Sequence, residues 1–312
     1  MYGNPEYCSE DDKELAQHIS KTYSELCINL SSSMIFQSKD YFISPDLLSY
    51  ALKICAQSMK NPLTIKILSP NCMTLIKEHA VPLVMLTNKD IEDFYDNPTD
   101  FIRKMKDITE TFYSCRHSLK EVLLIFSYLQ SSEDSTPDYL PEVLEFITES
   151  LNQCQSNTDF RVKDALLFLL ENLAIIVKKV SSMHEGILKL LGEVTPYLES
   201  GNAIENYRAL KVLFEYSWLP FGEEELRQVA ERVYKLLHSE DTAVKLTAAS
   251  TFYKFLKKPS LKPVFEPELP RILEIYLEMM KDVENEDLVN ALEEIVRIFS
   301  ESIEPFAVQL CK

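Results

Sequence analysis

FRVKDALLFLLENL, residues 160–173, is a run whose apolar side chains return every three or four positions. Phe160, Ala165, Phe168, Leu169, Leu173, Ile176, Val177 and Val180 form one stripe at the 3.6-residue period of an α-helix. Leu166, Leu167, Leu170 and Ile175 fill the flanks. The helix is therefore apolar nearly all round and is expected to lie sandwiched between others. Related runs follow in YRALKVLFEYSWL (207–219), VKLTAASTFYKFL (244–256) and LVNALEEIVRIF (288–299). The first three of the four open on an apolar residue followed by Arg or Lys. Their starting points lie 47, 37 and 44 residues apart, and each step also holds a second amphipathic helix.

Helical arrays of the HEAT and armadillo kind repeat every ~40–47 residues, with two or three helices per repeat. A closed all-helical bundle is not expected to recur at that interval. Length points the same way, because 312 residues exceed the ~250–300 at which one hydrophobic core stops growing. A stack of helix pairs escapes that limit by extending its core in one dimension. With 46% hydrophobic residues the chain can bury such a core, and with only 5 glycines it can supply few of the positive φ angles that hairpins and phosphate loops need. The expected fold is all-α: a HEAT-repeat α-solenoid, a right-handed superhelix of antiparallel helix pairs, roughly seven repeats long. Residues 1–312 read as a single array, with less distinct repeats over 1–95 and clearer ones over 96–312. Asp138 and Pro141 open one helix, and Gly222 with three glutamates opens another. Near the end, Leu288, Leu292, Ile295 and Phe299 line one helical face. Polar stretches at 36–45, 131–138 and 257–267 read as loops, and EPFAVQLCK (304–312) as the start of a helix at which the array runs out without a polar cap.

The formal charge is −17. Such a surface repels nucleic-acid phosphates and anionic lipid, whose binding depends on Lys and Arg. It suits a basic partner, and it also serves simply to keep a large surface soluble. The seven cysteines (Cys8, Cys27, Cys55, Cys72, Cys115, Cys154, Cys311) are scattered, without C-x-x-C or zinc-ligand spacing, as expected in a reducing compartment. The amino-terminal MYGNPEYCSEDDKE lacks the basic and apolar regions of a signal peptide. The most apolar run, 165–177, is shorter than the ~20 residues that span a bilayer and carries Glu171 and Asn172. A soluble intracellular protein is expected. Walker, dinucleotide and nucleophile-elbow glycine motifs are all missing. Cys115 and His117 are two apart and cannot share a helix face. The remaining histidines (His18, His79, His184, His238) are dispersed, and His184-Glu185 does not extend to a zinc-protease motif. The acidic clusters at 9–12, 223–225 and 284–287 sit at polar helix starts, where they complement the helix dipole rather than work as acid–base pairs. Trp218 reads as a helix-end residue packed between repeats. The sequence thus assigns no catalytic, cofactor-binding or metal-ligating residue, and no enzyme.

DNPTDFIRKM (96–105) reads as a helix entry, with Asn97 as N-cap, Pro98 first in the helix and Asp100 near the positive dipole end. Phe101 and Met105 are expected to pack inward, leaving Arg103 for a neighbouring carboxylate. DNPTDFIRK (96–104), with Asn97, Pro98, Asp100, Phe101 and Arg103, also resembles a stretch of the karyopherin-β (importin-β superfamily) nuclear transport receptors, on the importin seven/eight branch. KDALLFLLENLA (163–174) resembles the Lys-Asp-x-Ala helix that follows it in that family, and HSEDTAVKLTAASTFYKFL (238–256) a repeat with Val-Lys and paired alanines. ENEDLVNALEEIVRIFSESIEPFAVQL (284–310) is the most specific match. Together these cover roughly 90–312, with a small gap near 206–212.

The resemblance implies HEAT architecture and a central fragment of a receptor that carries cargo through nuclear pores, shuttling between cytoplasm and nucleus. It implies contact with phenylalanine-glycine nucleoporins and control by the GTPase Ran, although the family's amino-terminal Ran-binding repeats and its carboxy-terminal arch have no counterpart in these residues. The implied partners are basic cargo proteins, with no direct nucleic-acid or membrane binding and no cofactor. Acids on the second helices, Glu142, Glu145, Glu149, Glu223, Glu224, Glu225, Glu231, Glu274 and Glu278, are the candidate cargo contacts as a set; taken singly, each reads more readily as a solvated surface charge. The alternative is a HEAT scaffold of another kind, such as a phosphatase-type regulatory subunit.

Overall fold

The computed structural model describes residues 13–61, 64–106, 114–129, 137–154, 158–283 and 285–303. Every regular element among them is helical. Their α-helices fall into two compact units, residues 1–86 with 104–180 and residues 87–103 with 181–312. The first unit holds α1 (Lys13–Gln37), α2 (Pro45–Met59), α3 (Ile65–Val84), α6 (Cys115–Ser127), α7 (Leu140–Gln153) and α8 (Phe160–Val177). To the second belong α4 (Asn88–Asp96), α5 (Pro98–Lys106) as far as Arg103, α9 (His184–Val194), α10 (Ala203–Tyr216) and α11 (Glu223–Leu236). It continues through α12 (Thr242–Leu256), α13 (Lys262–Phe265), α14 (Leu269–Asp282) and α15 (Glu286–Ile298). No described residue, glycine included, has a positive φ, which is how a chain so poor in glycine can be built.

Each unit is a two-layer stack of helices, the HEAT-repeat α-solenoid expected from the repeat. In the first, α2, α6 and α8 lie side by side, and α1, α3 and α7 form the second row against them. In the second, α10, α12 and α15 form one row, with α11 packed on α12 and α14 on α15. The helical turn Thr195–Glu199, which follows α9, touches both α10 and α11.

α8 is enclosed by α3, α6 and α7, so Ala165, Leu166, Leu167, Leu169, Leu170, Leu173, Ile176 and Val177 are all buried. Ile175 departs from the expectation and is 65% exposed. The same helix also buries charge. Asp164 is fully enclosed and receives a hydrogen bond of 2.8 Å from Arg116 Nη2 on α6. Arg116 Nη1 donates to the Val84 carbonyl at 2.5 Å, and its guanidinium lies 4.0 Å from the Phe168 ring centre. This pair ties α3, α6 and α8 at one point.

DNPTDFIRKM is the junction of α4 and α5, where the Asn97 N–H closes α4 on Asp93 and the Asn97 carbonyl accepts from Phe101. Pro98 begins α5 and Asp100 lies in its first turn, as the sequence implies. The inward residues are Phe101 and Ile102, with Met105 only half-buried, because the contact comes from the side of α10. Phe94, Phe101 and Tyr207 form a three-ring cluster with centroids 5.2, 5.5 and 5.7 Å apart, all edge-to-face. Arg103 finds its carboxylate on its own helix, Asp100 at 3.1 Å.

Other expectations are corrected. Residues 257–267 form helical turns and α13 rather than a loop, because Leu261 and Phe265 are buried and pin the segment down. Pro141 enters α7 as expected, but the N-cap position is Tyr139, not Asp138. Of the 36–45 stretch, only 38–44 lies outside helix. Residues 131–136, Glu284 and the 304–312 segment lie outside the described residues. The four-residue face of α15 is buried throughout, from Leu288 to Phe299. α1 has two apolar faces: Ile28 and Ile35 are buried, whereas Tyr23, Leu26 and Leu30 are 54–66% exposed.

Two stability predictions follow from burial. Phe101→Ala should cost about 3–5 kcal/mol, the usual loss for an enclosed aromatic, whereas Leu30→Ser should stay within about 0.5 kcal/mol; urea unfolding of both variants would expose any reversal of that order. Asp164→Ala leaves a buried guanidinium without its carboxylate and should cost about 3–5 kcal/mol. The double replacement Arg116→Met with Asp164→Leu should cost less, and an equal or larger loss would refute that account.

Candidate functional site

The sequence-derived acids fall on three helices. α7 starts with Pro141 and Glu142 in its first turn, where proline needs no hydrogen bond and a carboxylate complements the dipole. Its apolar residues Val143, Leu144, Ile147 and Leu151 are buried, which turns Glu142, Glu145 and Glu149 outward along one stripe. That stripe borders a groove of about 420 Å³ lined by Lys77 of α3 together with Glu142, Glu145, Phe146, Glu149, Ser150 and Gln153. Lys77 Nζ donates to Glu142 at 2.8 Å. This hydrogen bond, and then the charges of Glu142, Glu145 and Glu149, hold the Lys77 ammonium above its ordinary pKa. Glu145 and Glu149 have no ion pair among the described residues. The groove therefore already seats one ammonium and keeps two carboxylates for others.

On α11, Gly222 is the N-cap and Glu223, Glu224 and Glu225 fill the first turn. Glu224 accepts from Gln228 at 2.9 Å and from Arg227 at 3.4 Å, and these contacts hold its carboxyl below the usual range. Arg227 also reaches Glu231 at 3.8 Å. Glu224 and Glu231 are thus partly neutralised within their own helix, whereas Glu223 and Glu225 have no ion pair among the described residues. Glu274 and Glu278 are exposed one turn apart on α14. The structure brings together the three α7 acids with Lys77 and, separately, the four α11 acids. Lys77 is the member that sequence reading missed, because a lysine on α3 is distant in sequence from α7 and nothing local marks their pairing.

The residues that looked reactive are occupied otherwise. Cys55 and Cys72 are buried and their thiols are pushed up to about 11 and about 12 by burial. Cys115 donates to the Pro45 carbonyl at 3.2 Å, and burial pushes it up to about 11. Trp218 is half-buried, edge-on to His184 at 4.9 Å. Among the described residues no group of three metal-ligating side chains occurs, and no helix is long and apolar enough to cross a membrane.

Stacked helix pairs of this kind leave the extended surfaces that helical-repeat proteins use for binding. Within that class the chain is similar to importins. It is 25% identical to mouse (Mus musculus) importin-8 over 98% of its own length and 30% of that protein. It is 22% identical to the importin beta-like SAD2 homolog of Arabidopsis thaliana over 100% of its length and 30% of the relative. With the probable importin-7 homolog of Dictyostelium discoideum it shares 24% identity over 82% of its length and 24% of the relative. The chain thus spans about a third or less of these relatives, and the likeness is to an importin-β superfamily segment of the importin seven/eight kind. No protein-family model matches the chain.

His79 gives a pH test. It is buried on α3, 4.9 Å edge-on to Phe36; burial, and then Lys39, depress its pKa, while Glu78 opposes the shift. Below its ordinary value near 6.5, the unfolded chain takes up a proton that the folded chain refuses, so stability is lost as pH falls from there toward the depressed value. Melting temperature should drop between roughly pH 7 and pH 5.5. In His79→Leu the drop should be smaller, and an unchanged pH profile would exclude His79 as a source.

Proposed function

We propose that this chain is a segment of a nuclear transport receptor that holds basic stretches of cargo on the acidic stripes of its second-row helices. The observation that carries the reading is the α7 groove, where the Lys77 ammonium sits on Glu142 beside two further carboxylates in the way a cargo lysine or arginine would. Glu223 and Glu225 of α11 and Glu274 and Glu278 of α14 offer the same chemistry in the second unit. The importin likeness supports the transport setting: Ran-regulated passage between cytoplasm and nucleus, with phenylalanine-glycine nucleoporins as pore contacts. The role is binding, without catalysis.

Exposed ion pairs weaken as the Debye length shrinks from ~10 Å at 0.1 M salt to ~3 Å at 1 M. Anisotropy of a labelled Lys/Arg-rich peptide should therefore show affinity falling steeply with salt. Glu145→Gln with Glu149→Gln should weaken binding roughly two- to tenfold at low salt, at the ~0.2–1 kcal/mol typical of exposed pairs. Salt-independent binding, or affinity unchanged in that double variant, would reject the α7 site.

A further inference from the structure

In a chain with 49 acids against 32 bases, one described helix of 15 residues has no carboxylate at all. It is α12, TAVKLTAASTFYKFL, followed directly by Lys257 and Lys258. α12 lies beside α10 in the first row of the second unit, and together they present aromatic rings overlaid by lysines. Lys254 Nζ is 4.8 Å from the centre of the Phe214 ring and 5.3 Å from that of Tyr253. Lys211 lies 5.6 Å from the Phe214 ring and Lys257 5.3 Å from the Tyr253 ring. Phe214, Tyr253, Lys211 and Lys254 are half-exposed and Lys257 is exposed. Lys257 is shared with Glu294 of α15 at 3.0 Å, whereas Lys254 makes no ion pair among the described residues. Lys258 is committed elsewhere, to the carbonyls of Trp218 and Leu219.

We propose that this α10–α12 face is a docking surface for an acidic peptide segment of another protein. Its carboxylates engage Lys254 and the flanking Lys211 and Lys257, and an apolar side chain lies across Phe214 and Tyr253. The ring faces attract the ammonium groups and hold them at the surface, so less side-chain freedom is lost on binding. A peptide carboxylate then forms the stronger, charge-assisted hydrogen bond that a ring cannot supply. Nucleic acid is a poorer fit. Tight polyanion binding draws on something like 6–10 phosphate contacts, whereas this patch offers three lysines on a chain of net charge −17. The surface uses none of the candidate acids of α7, α11 and α14 and is built on lysines instead.

The test uses the full chain and a labelled peptide of alternating Asp and Glu around a single Leu, read by anisotropy at low salt. Lys254→Glu should weaken binding roughly five- to tenfold, as expected when an exposed pair is replaced by a repulsion. Lys245→Glu, on the same helix away from the rings, should change it less than twofold. Binding of the Lys/Arg-rich peptide used for the α7 groove should be unaffected by Lys254→Glu, so the two readings fail independently. Circular dichroism and melting of each variant separate lost contacts from lost fold, and Tyr253→Leu serves as a second variant at the patch. No binding of the acidic peptide would overturn the proposal. Equal losses in Lys254→Glu and Lys245→Glu would also overturn it, by reducing the effect to overall charge. Tighter, Lys254-dependent binding of a single-stranded oligonucleotide would replace the peptide with nucleic acid.

Discussion

An amphipathic helix pair cannot bury all its apolar surface by itself, and everything in this protein depends on that constraint. α8 has apolar residues around most of its circumference and is stable only because α3, α6 and α7 enclose it. α12 is in the same position between α10, α11 and α15. Because each helix shares its faces with neighbours, the core grows along each row, and the surface left over is a set of parallel stripes. On the reading proposed above, those stripes are the binding surfaces. Their charge is free to vary because it contributes little to the fold.

Charge differs between neighbouring helices of the second unit. α11 and α14 carry outward acids, while α10 and α12 carry lysines laid over aromatic rings. A net charge of −17 conceals this, since it averages over surfaces that face different ways. A scaffold that presents stripes of opposite sign can recognise partners of opposite chemistry without moving. In the first unit the acidic stripe of α7 is partly answered by Lys77 from α3. Removing that lysine's partner, or supplying a competing cation, changes the local charge without disturbing the core.

Aromatic and buried polar contacts fix where particular segments go. The Phe94, Phe101 and Tyr207 rings explain why the short helices α4 and α5 belong with α10 although about a hundred residues separate them in the chain. The Arg116–Asp164 pair joins α6 to α8 inside the apolar core. A buried pair of this kind penalises any register that leaves one charge unanswered, which contributes to specificity more than to stability.

The sequence by itself determined that the protein is helical and repetitive. Period 3.6, the recurrence from residue 160 to 288 and the scarcity of glycine are local properties, and local backbone preferences obey them. It also marked the outward acids, because a carboxylate opposite a leucine stripe has nowhere to go but solvent. What it could not supply were contacts between residues far apart in the chain. Lys77 beside Glu142, Arg116 against Asp164, and Phe101 turned toward Tyr207 with Ile102, rather than Met105, as its buried companion are examples. Residues 257–267 looked like a loop because prolines and lysines dominate their composition, yet Leu261 and Phe265 fold them into helical turns against the core. The lysine–ring face of α10 and α12 was invisible for the same reason: two helices must first be placed side by side before an ammonium on one can lie over a ring on the other. Such pairings depend on which helices become neighbours, and only the packing of the whole array decides that.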